Sequence, residues 1–153
     1  MTSLKVTLQS DLHAAMREHN VLVTSTLRMV LSAITNEEVS GKEARELSDQ
    51  DLITVLNREA KKRKEAATAY DDAKRPELAA KEREELDVIS RYLPAAISDD
   101  ELAGIITAAV ATVLGQGLSG PSAMGAVMKL VTPQVAGRAD GGQVAASVKA
   151  ALV

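Results

Sequence analysis

Apolar residues recur along most of this chain at intervals that fit helices. In Ser3 to His19, Leu4, Leu8, Leu12 and Met16 sit four apart on one face. In Val21 to Val39 the stripe is Val23, Leu27, Val30 and Ile34, and Gly41 is the expected stop. Ser48 with Asp51 carries a capping-box signature that opens the longest helix, expected over Asp49 to Ala73. Its apolar face is thin: Ile53, Leu56, Ala60 and Ala67 line it, while Lys61, Lys62, Arg63 and Lys64 occupy its centre. Pro76 suits a first helical turn, and the helix it starts runs through Leu86, Ile89 and Leu93 until Pro94 closes it. Ser98 and Glu101 repeat the capping-box spacing ahead of a helix that buries Leu102, Ile105, Ile106, Ala109, Val110 and Val113.

The stretch Ser122 to Gly142 has a pattern of its own. Met124, Val127, Met128 and Val131 fall at i, i+3, i+4 and i+7, and Gly125 leaves a bare patch where another backbone could approach. Pro133 is expected to end this helix. Gly137, Arg138, Ala139 and Asp140 then make a polar turn, with Asp140 as N-cap and Gln143 as its capping-box partner for a last helix. The structural turn is therefore assigned to Gly125, Gly137, Asp140 and Gly141.

Composition sharpens the class. The chain has 153 residues with no Phe, Trp or Cys and only two Tyr, so its core is aliphatic and suited to helix packing. Residues 1–94 hold 15 Lys plus Arg and 17 Asp plus Glu, whereas residues 95–153 hold 3 and 4. That shift, at a proline-marked segment, places a domain boundary at Pro94: an N-terminal helical domain over 1–94 with one long charged helix, and a C-terminal three-helix domain over 95–153. Neither half is basic in bulk, so any nucleic-acid contact must be local. The first twenty residues read neither as signal nor as transit peptide, and no apolar run approaches the ~18 residues of a membrane span. A soluble, cytoplasmic protein with no membrane contact is the expectation.

Candidate chemistry is sparse. Gly115, Gly117 and Gly120 spell G-x-G-x-x-G, but a helix precedes them where the dinucleotide fingerprint needs a strand, so they read as a helix-terminating loop. His13 and His19 are six apart and lack companions at ligand spacing, so no metal site is expected. The carboxylates from Lys81 to Asp87 interleave with basic residues as on a solvated helix face. No nucleophile elbow or phosphate loop is present, and no cofactor is expected. The run Lys61, Lys62, Arg63, Lys64 is either a solvated helix face diluted by Glu59, Glu65, Asp71 and Asp72, or a phosphate-facing patch. With two tyrosines there is no stacking platform for single-stranded bases, so RNA, if bound, is met as a folded object through phosphate and ribose.

Five segments carry a resemblance: STLRM (Ser25 to Met29), REAKKRKEAATAY (Arg58 to Tyr70), EREELDVISRYLP (Glu82 to Pro94), MGAVM (Met124 to Met128) and GRADG (Gly137 to Gly141). In that order and register they resemble the YqeY-like family, which is similar to the C-terminal tail domain of the B subunit of the glutamine-dependent aminoacyl-tRNA amidotransferase. The resemblance implies two all-helical domains and a tail that contacts tRNA, while ammonia production and acyl activation reside elsewhere in that enzyme. Met128 and Lys129 resemble the Met-Lys before the turn of those tails, and Gly137 to Asp140 resemble the turn itself. The tails usually continue with proline where this chain has Gly141.

Together these features lead to an all-α, non-catalytic adaptor with tRNA or a tRNA-handling enzyme as partner. Lys129 and Arg138 are the first nucleic-acid candidates, with Lys61, Lys62, Arg63 and Lys64 behind them. Arg138 could join the amide groups at the following helix N-terminus in receiving a phosphate, or pair with Asp140. Two alternatives compete. One is a component of a glutamine-dependent carbon–nitrogen ligase, implied by the family resemblance; the other is a protein-interaction module, which a charged, thin-faced helix would suit.

Overall fold

The computed structural model describes residues 3–153. Among them run seven helices and no strand: α1 (Leu4–Arg17), α2 (Val21–Glu38), α3 (Asp49–Asp72), α4 (Pro76–Ser90), α5 (Asp99–Gly115), α6 (Gly120–Val135) and α7 (Gly141–Ala151). The fold is all-α, and it groups into two compact units, Met1–Leu93 and Pro94–Val153. Among the described residues no helix is long and apolar enough to cross a membrane.

In the first unit α1 packs on α2 and α3 on α4, with α2 touching both α3 and α4. Local chemistry sets the helix starts. Ser3 accepts from the Val6 amide, Asn20 accepts from the Val23 amide, and Ser48 and Asp51 form the complete reciprocal box. The core gathers Leu8, Leu27, Val30, Ile34, Leu52, Leu56, Val88 and Ile89. Met16 departs from the expected stripe and is 43% exposed. Residues spaced by four drift about 40° per step around a helix, so by Met16 the row has left the core and Ala15 is buried instead. α2 ends at Glu38, ahead of Gly41, and the Arg45 amide closes the loop onto the Glu38 carbonyl. α4 also stops early, at Ser90. The Tyr92 and Leu93 amides turn back to Ile89 and Ser90, a tightened turn before the residues that Pro94 bars from helical geometry.

In the second unit α5, α6 and α7 pack pairwise around Leu102, Ile106, Ala109, Val113, Val127, Val131, Val144 and Val148. Leu102 apart, small and β-branched side chains make the buried part of this core, in keeping with the lack of Phe and Trp. The glycine run is the helix-terminating loop expected of it: Gly115 is the last residue of α5, Gly117 has φ 78°, and Gly120, with φ 58°, opens α6. Two expectations for α6 fail. Pro133 does not end it, because a ring in the last turn removes only the bond to the Lys129 carbonyl, and Gln134 Nε2 donates to the neighbouring Leu130 carbonyl at 2.9 Å. Gly125 is exposed, and a Cβ there would meet nothing within 4 Å, so within this unit no backbone uses the bare patch.

Candidate nucleic-acid interface

The turn between α6 and α7 is built around Arg138. Gly137 takes φ 76°, a conformation other L-residues rarely adopt, and this turns the chain so that the Arg138 and Ala139 amides bond back to the Val135 carbonyl at 2.9 and 3.2 Å. The Arg138 guanidinium then makes a two-pronged bond to Glu101 on α5, Nη1 to Oε1 at 2.9 Å and Nη2 to Oε2 at 2.8 Å. Its Nε donates to the Ala95 carbonyl at 3.2 Å, and its own carbonyl accepts from the Ile97 amide at 3.0 Å. Arg138 therefore ties the 95–97 segment, the start of α5 and the α6–α7 turn into one piece.

That arrangement changes two expectations. Ser98 still caps α5 through the Glu101 amide at 3.1 Å, but the Glu101 carboxylate goes to Arg138 and does not complete the box. The carboxylate that takes the two-pronged bond of Arg138 is Glu101, a partner the sequence did not offer. The Arg138 hydrogen bonds hold the Glu101 carboxyl below its ordinary value, and Glu101 raises Arg138 in turn. Asp140 caps α7 by accepting from the Gln143 amide at 3.2 Å. Lys129 lies exposed on α6, where its ammonium can meet a ligand without giving up a structural bond.

The basic run on α3 does not form one patch. Successive residues are about 100° apart around a helix, so four in a row point in four directions. Arg63 points inward and is 8% exposed. Its Nη1 donates to Glu59 Oε2 at 2.7 Å, its Nε lies 3.4 Å from Glu85 Oε2 on α4, and its Nη2 reaches the Met29 sulfur on α2 at 3.5 Å. Lys62 holds the other Glu59 oxygen at 2.8 Å. Burial pushes the Glu59 carboxyl up, but Lys62 and Arg63 outweigh it and leave it lowered. Lys61 and Lys64 are exposed.

Sequence reasoning missed what these segments do together. Met29, Glu59, Arg63 and Glu85 come from the first three of the five segments that carry the family resemblance, and the fold brings them to one buried ion cluster. Tyr92, also from the third segment, donates to Asp11 Oδ2 at 2.6 Å; burial and that carboxylate push its hydroxyl well above the ordinary tyrosine value, so it stays a neutral donor. The Glu59–Arg63 spacing was visible, but it reads as a surface pair until α4 covers it. Among the described residues no group of three or more acidic or histidine side chains is placed to hold a metal.

The chain matches the YqeY-like protein family over residues 5–152. Among curated proteins it is similar to the altered inheritance of mitochondria protein 41, mitochondrial, of Clavispora lusitaniae, with 36% identity over 105 residues that cover 67% of this chain and 57% of that one. The protein of the same name in Saccharomyces cerevisiae is 35% identical over 88 residues, 56% of this chain and 46% of its own. An uncharacterized Schizosaccharomyces pombe protein is 32% identical over 92 residues, 60% and 73% of the two chains. The chain thus spans about half the length of the first of these relatives. Their names correct one expectation: relatives called mitochondrial point away from a cytoplasmic protein. The cytoplasmic reading rested on the lack of a recognisable leader and of a membrane-length apolar run, and such absences do not identify a compartment. A match that begins at residue 5 and ends at residue 152, through both units and all five segments, means that this chain belongs to the YqeY-like family, which is related to the tail domain of the amidotransferase B subunit.

Proposed function

We propose that this chain is a non-catalytic helical adaptor whose partner is tRNA or a tRNA-handling enzyme. The observation that carries the reading is family membership over residues 5–152, in a family related to a tail domain of a tRNA-dependent amidotransferase. The exposure and bonding of each cation support the following division of roles. Lys129, exposed on α6, is the side chain that contacts phosphate. Arg138 is a positioning residue, because its guanidinium is held by Glu101 and it fixes the turn ahead of α7. Lys61 and Lys64 on the outside of α3 are auxiliary cations, and Arg63 is part of the interior.

With so few outward cations the contact is weak and salt-sensitive. Titrating labelled, folded tRNA with the full chain at low salt should give saturable binding that Lys129→Ala weakens while circular dichroism stays helical. Absence of saturable binding by the wild type would rule out direct contact and leave the tRNA-handling enzyme as partner. The ligase alternative is met in the same preparation: the purified chain should release no ammonia from glutamine, and release that disappears on changing one of its own side chains would reinstate an enzyme.

A further inference from the structure

α1 and α2 are joined by a tight reversal. His19 sits there with φ 56°, and the His19 and Asn20 amides bond back to Met16 and Ala15. A left-handed conformation is strained for a residue with a side chain, so these bonds hold the reversal in one shape. On its outer side Met16, His19, Val21, Thr24, Ser25 and Arg28 line an open depression of about 340 Å³. On α2 the lining falls at 21, 24, 25 and 28, a helical stripe distinct from the core stripe of Leu27, Val30 and Ile34.

Two features set this surface apart. Its floor is apolar and in water: Val21 is 79% exposed and Met16 43%. Its cation is uncommitted to any acid. Arg45, Arg58, Arg63, Arg75 and Arg83 in the same unit each hold a carboxylate, whereas among the described residues Arg28, like Arg17 and Arg91, holds none, and it reaches the Met16 sulfur at 3.8 Å, a soft acceptor. An apolar floor with an unmatched guanidinium at its edge is complementary to an aliphatic side chain with a carboxylate about one helical turn away. Methionine moulds to aliphatic anchors, and the arginine fork receives a carboxylate through two bonds. RNA suits the surface less well: of its lining residues only the His19 ring could stack a base and only Arg28 carries a fixed positive charge, short of the row of rings and cations that tracks a strand.

We propose that the depression at the α1–α2 reversal docks an acidic amphipathic helix of a partner protein, an aliphatic side chain on Met16 and Val21 and a carboxylate on Arg28. This concerns the first unit alone and stands whether or not Lys129 meets tRNA.

The test is a titration of the ¹⁵N-labelled full chain with a synthetic helical peptide carrying Leu and Glu four residues apart on one face. Controls are a scrambled peptide of the same composition and one with Lys in place of Glu. Saturable amide shifts confined to residues 16–29 are expected with the first peptide only, and Arg28→Ala should weaken its binding by roughly tenfold or more. Arg28 is exposed, so that variant should fold; Met16→Lys is a second, independent probe of the apolar floor. No saturable shift, equal shifts with the control peptides, or shifts elsewhere would overturn the proposal. So would folded tRNA moving these amides where the peptide does not, or the same amides shifting with protein concentration alone, which would assign the face to a second copy.

Discussion

Each unit of this protein holds an arginine against a glutamate, and the two pairs do different things. Arg63 lies inside the first unit, between Glu59 and Glu85, with Lys62 on the outer Glu59 oxygen. Arg138 lies on a turn of the second unit, with Glu101 exposed beside it. The first pair sits where water is excluded, so its charges depend on each other. The second sits in solvent, where it contributes little through charge and acts through the several backbone groups the arginine reaches. The unit with 15 basic residues commits many of them to its own carboxylates, and the unit with three leaves Lys129 outward. A count of charges along the sequence therefore ranks the candidate binding surfaces poorly.

The comparison breaks most readily at Arg63. Arg63→Met removes the cation beside buried Glu85 and leaves Glu59 to Lys62 alone, so urea unfolding should report a loss of about 3–5 kcal/mol. Replacing Glu59, Arg63 and Glu85 together by apolar residues of similar volume should restore most of that loss or exceed the wild type, since a buried ion cluster offsets its own desolvation only approximately. A loss under about 1 kcal/mol for Arg63→Met would mean that the cluster is solvated and the contrast with Arg138 unfounded.

Helix starts give a smaller effect. Ser48→Ala removes the bond to the Asp51 amide and one side of the capping box, and should lower stability by about 1 kcal/mol. Acid sharpens the same contrast. Glu59 is depressed below 4.5, so as pH falls past that value the unfolded chain takes up a proton that the fold still refuses. Stability contributed by Glu59 is present at neutral pH and declines from about pH 4.5 down through its folded value. Unfolding monitored between pH 6 and 3 should show this decline in the wild type and less of it in the apolar triple variant.

Arg138→Ala should have the smallest thermodynamic effect and a clear kinetic one. It frees the Ala95 carbonyl and Glu101, and we propose a domain boundary at this segment. Limited proteolysis should nick first between Leu93 and Asp99, and faster in Arg138→Ala than in the wild type. First cleavage inside Leu102 to Leu114, with that segment intact, would argue against the boundary.

Much of the fold was legible because it is written locally. The Ser48–Asp51 box, Pro76 in a first turn, the Asp140 cap and the glycine loop after α5 each depend on residues within a few positions, and each stands in the structure. Local reasoning failed where geometry accumulates or where a terminus excuses a broken rule. The four-residue spacing of α1 drifted Met16 out of the core, and Pro133 sits near enough to the end of α6 to be tolerated. The candidate site was less legible for a different reason. Glu101 is 37 positions from Arg138, and Glu85 reaches Arg63 from another helix, so no window along the sequence contains either pair.

The direct tRNA contact in the adaptor reading turns on whether Lys129 meets phosphate. The most direct measurement is the salt dependence of tRNA affinity for the wild type and Lys129→Ala, with Arg138→Ala as the comparison. We expect Lys129→Ala to bind more weakly and to reduce the slope of log affinity against log salt by about one contact, roughly 0.7 to 0.9 units, while Arg138→Ala leaves the slope unchanged. Identical slopes for the wild type and Lys129→Ala, or a drop only in Arg138→Ala, would contradict this assignment of roles.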